Sequence, residues 1–187
     1  TASGTTNFLL DSHLLGVTKF ATAYARGCGL NGKVAESVET AARFHDLGKA
    51  DPRFQAWLKG GNPWLRGPLL AKSANMAQSP TESEAARKRA GYPSGGRHEL
   101  LSVRLLESNS ETIPVLEDAR DLVLHLVASH HGYCRPFAPV IGDDKPQAVT
   151  IEFQGRQFSA SSATELERLD SGVAERFWRL TRRYGWW

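Results

Sequence analysis

The stretch Phe44-His45-Asp46-Leu47-Gly48-Lys49 constrains this chain more than any other. It sets an imidazole and a carboxylate side by side at the end of an apolar, helix-patterned segment with Val34, Val38, Ala41 and His45 on one face. Adjacent helical side chains diverge by roughly 100°. His45 and Asp46 therefore do not stack as an isolated ion pair, but both reach a metal cluster lying off the helix end. Gly48 fits a helix C-terminus in the left-handed conformation. Lys49 places a cation just past the metal, suited to an anionic substrate. A capped helix end carrying His-Asp by chance would look the same. The distinction comes from a second stretch, Ser129-His130-His131-Gly132, and from His13 and His98 on other helical segments.

The helical period organises most of the chain. Asp11 or Ser12 caps a first helix running to about Arg26, with His13, Val17, Phe20 and Tyr24 on one face. Asp51-Pro52 is an N-cap followed by proline at the first helical position, and the short helix to Lys59 carries Phe54, Trp57 and Leu58. Residues 60–96, rich in Gly, Pro, Ser and Asn, read as a long mobile insertion. Inside it, Ser79-Pro80-Thr81-Glu82 has the form of a capping box. The polar helix that follows carries Arg87, Lys88 and Arg89, either as a solvated face or as phosphate contacts. Arg97-His98-Glu99 opens another helix with His98, Leu101, Ser102 and Leu105 on one side. Pro114 starts a longer one, with Leu116, Ala119, Val123, Val127 and His130 along a buried face and His125 off it, structural or exposed. Residues 149–159 alternate around Gly155 and predict a small β-hairpin decorating the domain. A last helix spans Gly172 to Tyr184, with Phe177, Leu180 and Tyr184 aligned. The expected fold is an all-α bundle with one hairpin.

With 187 residues, 41% of them hydrophobic, the chain suffices for a single domain with a real core. A formal charge of +3 permits a nucleic-acid or phosphate partner. Two distant cysteines, Cys28 and Cys134, exclude a disulfide scaffold and a zinc-thiolate site and fit a reducing cytoplasm. The longest apolar run, Leu122 to Ala128, is interrupted by His125 and too short to span a membrane. The only methionine is Met76, and the ends read as those of a domain excised from a larger protein.

His13, His45, His98, His130 and His131 all fall at expected helix starts or ends, and helix ends that meet in a bundle converge on one cavity. With Asp46 they make six donors, too many for one tetrahedral ion and suited to two. Nitrogen-rich, sulfur-free ligation favours iron, manganese, cobalt, nickel or zinc over magnesium. Two such ions about 3.5–4 Å apart serve in-line displacement at phosphorus.

The pattern resembles the HD superfamily of metal-dependent phosphohydrolases, and within it the HD nuclease domain of the type I CRISPR helicase-nuclease. The residues that carry the resemblance are His13, His45-Asp46-Leu47-Gly48-Lys49 with Phe54-Gln55, Arg97-His98-Glu99, and His130-His131-Gly132. It implies an HD-superfamily helical bundle with two divalent transition-metal ions, iron, manganese, cobalt or nickel. One ion would be held by His13, His45 and Asp46, the other by Asp46, His98, His130 and His131. It implies cleavage of single-stranded DNA during CRISPR interference, beside a superfamily 2 helicase recruited by the Cascade surveillance complex. Asp46 and Lys49 would be the catalytic residues, and Lys49, Arg97 and Arg135 would meet the substrate. The family has a further aspartate on a late helix, completing the first ion site. Asp143, Asp144 and Asp170 lack its expected setting, so that aspartate is expected beyond Trp187 and the first site incomplete. Two other functions fit the same scaffold: a nucleotide phosphohydrolase with a closed pocket, and a degenerate HD module kept for docking.

Overall fold

The computed structural model describes residues 7–73, 79–109, 111 and 117–185. A short strand β1 (Phe8–Leu9) leads into helices α1 (Leu10–Gly27) and α2 (Gly32–Phe44). A 3-10 turn (Leu47–Ala50), α3 (Pro52–Leu58) and strand β2 (Leu70–Lys72) follow. Then come α4 (Pro80–Ala90), α5 (His98–Glu107) and α6 (Glu117–Ser129), the strands β3 (Ala148–Phe153) and β4 (Arg156–Ser161), and α7 (Val173–Tyr184). The expected start of α6 at Pro114, and Leu116 with it, lie outside the described residues, as does Met76.

Helix α5 is the centre of the bundle. Leu100, Leu101, Ser102, Val103, Leu105 and Leu106 are all buried, so the one-sided face expected for it is too narrow. A helix apolar all round is an interior helix, and α6, the 3-10 turn and β4 enclose this one. Helix α1 packs on α2, and α2 on α6.

Three expectations are corrected by what these elements pack against. The buried face of α1 is Leu10, Leu14, Thr18 and Ala25, while Phe20 and Tyr24 are 64% and 72% exposed. Neither Asp11 nor Ser12 caps α1; the helix enters directly from β1, and its first N–H, that of Leu10, donates to the Leu69 carbonyl at 2.8 Å. The antiparallel β1–β2 pair thus does the work of a cap. In α7 the inward residues are Val173, Arg176 and Leu180, not Tyr184. Arg176 is buried because Glu107 on α5 meets its guanidinium at 2.6 Å.

Local signals hold where they are strong. Asp51 accepts the Arg53 N–H at the start of α3, with Pro52 in the first turn. Ser79 and Glu82 form a reciprocal capping box at α4. Between residues 60 and 96, β2 pairs with β1 and α4 packs on α3. There Arg87 pairs with Glu84, and Arg89 donates to the Gly60 carbonyl. Trp57, Phe54, Leu58, Leu70 and Tyr92 form a second apolar cluster. The Gln55 amide donates to the Lys49 carbonyl at 2.7 Å and the Leu70 carbonyl at 2.9 Å, and accepts the Leu70 N–H at 2.9 Å.

The hairpin is part of the core rather than a decoration. Val149, Ile151, Phe153 and Phe158 face inward, alternating with exposed Thr150 and Glu152. Gln154 and Gly155 turn the chain with φ of 52° and 69°, the two positive values a type I′ hairpin requires. Phe153 and Phe158 set their rings 6.1 and 5.6 Å from that of Phe44, the last residue of α2. The hairpin therefore braces the helix end that carries His45 and Asp46. Among the described residues no helix is long and apolar enough to cross a membrane. Both cysteines are free, Cys28 exposed and Cys134 buried.

Candidate metal centre

Asp46 sits just past the end of α2, and its side chain is buried. The 3-10 turn behind it lies hard against α5. A Cβ on Gly48 would stand 2.0 Å from the His98 carbonyl oxygen and 2.8 Å from the Ser102 nitrogen. The left-handed cap expected of Gly48 is therefore wrong: its φ is not positive, and glycine is needed for this close approach. The Gly48 N–H donates to Ser102 Oγ at 2.8 Å. This contact brings the start of α5 to Asp46.

All five histidines at helix ends converge there. Nε2 of His13 and of His45 lie 3.1 and 3.2 Å from Asp46 Oδ2. Nε2 of His98 and of His130 lie 2.9 and 3.6 Å from Oδ1. His131 Nε2 is 3.3 Å from His98 Nε2. Lys49 Nζ stands 2.7 Å from Oδ2 and 3.3 Å from the Ala71 carbonyl. The donors fall into two groups that share Asp46: His13, His45 and Asp46, and Asp46, His98, His130 and His131. In each group the ligand atoms lie within 4.8 Å of one another.

The ring orientations test whether a cation fits. His45 and His130 follow helix C-termini, where backbone carbonyls lack intrahelical partners. Nδ1–H of His45 donates to the Ala42 carbonyl and Nδ1–H of His130 to the Val127 carbonyl, both at 2.8 Å. That leaves each Nε2 with its lone pair turned towards Asp46. Lone pairs facing a carboxylate repel unless positive charge lies between them, and Asp46 Oδ1, though buried, makes no well-formed hydrogen bond among the described residues. Backbone-anchored imidazoles around a buried carboxylate are the arrangement of a metal centre. A divalent cation fits these residues.

The ionisable groups of the cluster shift in different directions. Burial opposes charge on Asp46, but the surrounding His13, His130, His45 and His98 outweigh it and hold its carboxyl far below the usual carboxylate range. Burial lowers the affinity of His98 and His131 for protons, the direction that favours metal binding by a neutral imidazole. For His130 burial acts the same way, but Asp46 and the Val127 carbonyl prevail and raise it.

Of the expected substrate contacts, Arg97 lies at the rim beside His98, its guanidinium 3.9 Å over the Tyr133 ring and hydrogen-bonded to that hydroxyl. Arg135 is exposed, and its charge is felt at His125. His125 itself packs against Phe177. The candidate acids for the late aspartate do not join either group. Asp143 is bound to Arg53 at 2.8 Å and to Ser162, Asp170 pairs with Arg168, and Asp144 is exposed.

Sequence reasoning passed over Glu99. It follows His98 directly in the Arg97-His98-Glu99 run, yet it is wholly buried. Its acidity in an otherwise apolar stretch of α5 was the available signal.

A family model described as Cas3, HD domain, matches residues 5–182. No curated protein and no solved structure matches the chain.

Proposed function

Because the chain belongs to the Cas3 HD domain family, a family of metal-dependent HD nucleases of CRISPR systems, we propose that it cleaves single-stranded DNA during CRISPR interference. The observation that carries this reading is the convergence of His13, His45, His98 and His130 on the buried carboxylate of Asp46, with His131 set against His98. We assign His13, His45 and Asp46 to one divalent ion and Asp46, His98, His130 and His131 to a second, with iron, manganese, cobalt or nickel as the metals. When bound, such ions supply Lewis acidity for an in-line displacement at phosphorus and offset the charge that builds there.

The chain's own residues set the stage for that displacement. Asp46 turns one oxygen to each group, which makes it the shared ligand. Lys49, held by Asp46 and the Ala71 carbonyl, presents its ammonium at the edge of the cluster to a phosphate oxygen. Arg97 at the rim and Arg135 on the exposed loop after α6 extend positive charge for the flanking backbone. Trp57 and Tyr92 stack on one another in the second apolar cluster and are not platforms for bases. Trp64, Tyr133 and Phe137 are exposed, and ring faces of this kind bind unpaired bases at about 1–3 kcal/mol each without sequence preference. We assign residues 1–187 to one nuclease domain that works in the cytoplasm with a superfamily 2 helicase and the Cascade complex.

The test is digestion of single-stranded DNA, duplex DNA and deoxynucleoside triphosphates by protein supplied with manganese or cobalt. Cutting of single strands over duplex, weakening with salt, is expected. Hydrolysis of triphosphates without cutting of DNA would refute the proposal in favour of a nucleotide phosphohydrolase.

A further inference from the structure

We propose that Glu99 is the positioning residue of the second ion group: it accepts Nδ1–H of His98 and so turns the His98 Nε2 lone pair to the metal. The inference rests on the two-ion reading above and adds a residue to it.

The need for such a residue follows from where His98 sits. His45 and His130 follow helix C-termini, and free carbonyls there anchor their outer nitrogens. His98 opens α5, and the start of a helix offers unpaired N–H groups, not carbonyls. An acceptor for its Nδ1 must come from a side chain. His98 Nε2 faces Asp46 and His131, so Nδ1 lies on the far side of the ring, and there Glu99 Oε2 is 3.8 Å away. A tilt of under about 1 Å brings that pair to hydrogen-bond distance.

Glu99 is otherwise hard to account for. It is 0% exposed, and neither carboxylate oxygen has a hydrogen-bond partner among the described residues. Burying a carboxylate without one is strongly unfavourable. The nearest cation, Arg97, is 3.9 Å from Oε1, but its guanidinium is engaged with the Tyr133 ring and hydroxyl. A carboxylate that served only the core would be replaced to advantage by leucine. One that steadies a ligand histidine has a reason to remain, since a carboxylate behind a metal-bound imidazole fixes its tautomer and raises its donor strength.

The experiment compares wild type, Glu99→Gln and Glu99→Leu by zinc titration, melting temperature of the metal-free protein, and nitrogen-15 NMR of histidine-labelled, zinc-loaded protein. Glu99→Leu is expected to weaken zinc binding at the His98, His130 and His131 group by about 10–100-fold. The His13 and His45 group should keep its affinity, and metal-free melting should stay level or rise. Glu99→Gln, which retains an acceptor, should fall between. Wild-type, zinc-loaded protein should show a slowly exchanging His98 Nδ1–H. Equal affinity of both groups in wild type and Glu99→Leu overturns the inference. So does an affinity loss shared by both groups together with a lower melting temperature, which marks a purely structural role. If Glu99→Leu does not fold, a wild-type His98 whose Nδ1 carries no proton, or one exchanging freely, overturns it alone. A wild-type chain that takes up no zinc overturns the two-ion reading and this inference together.

Discussion

Substituting Gly48 by alanine tests the link between the fold and the metal centre. The added methyl would lie 2.0 Å from the His98 carbonyl oxygen, where ordinary contact needs more than 3 Å. Both the turn and α5 are backbone here, so neither yields by a rotamer change. They must part by about 1 Å, and overpacking of this kind destabilises by about 1–3 kcal/mol. Parting also breaks the 2.8 Å hydrogen bond from the Gly48 N–H to Ser102 Oγ. A buried N–H left alone adds about 1–3 kcal/mol. The sum, about 2–6 kcal/mol, is a large part of a stability near 5–15 kcal/mol. The same movement carries the His98 ring away from Asp46, 2.9 Å from it in the native chain. Denaturant unfolding and zinc titration of Gly48→Ala should therefore show lost stability and lost binding at the His98 group together. Ser102→Ala removes the hydroxyl without the clash and should lose about 1–3 kcal/mol while still binding metal. Gly48→Ala within about 0.5 kcal/mol of wild type and with unchanged zinc affinity would sink the argument, for a surface-like change is all that figure allows.

Asp46→Ala should abolish DNA cleavage and lower metal content at both groups while the helical circular dichroism remains, because the core is apolar and independent of it; cutting at a near wild-type rate would disprove the shared ligand. Manganese titration of the wild type should resolve two steps, the tighter at the four-donor group and the weaker at the three-donor group, and two ions of equal affinity would contradict that ordering. Burial, then Arg135 and Arg176, lowers the His125 pKa from 6.5 to about 4, so on acidification the unfolded chain takes up this proton first. Its contribution is complete above pH 6.5 and drains away towards pH 4, by about 1–2 kcal/mol after solvent screening. His125→Phe should flatten stability over that range, and an unchanged slope in the variant would refute the assignment.

What the sequence made legible was local chemistry. Asp51-Pro52 and Ser79-Pro80-Thr81-Glu82 cap helices by bonds within a few residues, so their roles are written in the string. The six donors at helix ends were legible for the same reason, as residue types with no better use. Which apolar side chain turns inward is not local. Phe20 and Tyr24 have the right spacing for a buried face, but α2 and β2 pack against Leu10, Leu14 and Thr18 instead. Gly48 looked like a cap because the helix whose approach it permits lies some fifty residues downstream. The burial of Glu99 is set by the enclosure of α5 on all sides, which periodicity alone does not reveal.

The Gln55 side chain completes the short β1–β2 ribbon from inside the protein. A two-stranded ribbon has two outer rims, each with backbone groups able to recruit another chain. At Leu70 the rim turned away from β1 is closed by a side-chain amide, which takes the N–H and the C=O as a third strand would. Gln55 thus behaves as a strand one residue long, tethered to α3 and unable to propagate. Replacing it with leucine strands the buried Leu70 N–H and C=O, and the resulting fault is lost stability, about 1–3 kcal/mol for each polar group left alone, read by denaturant unfolding.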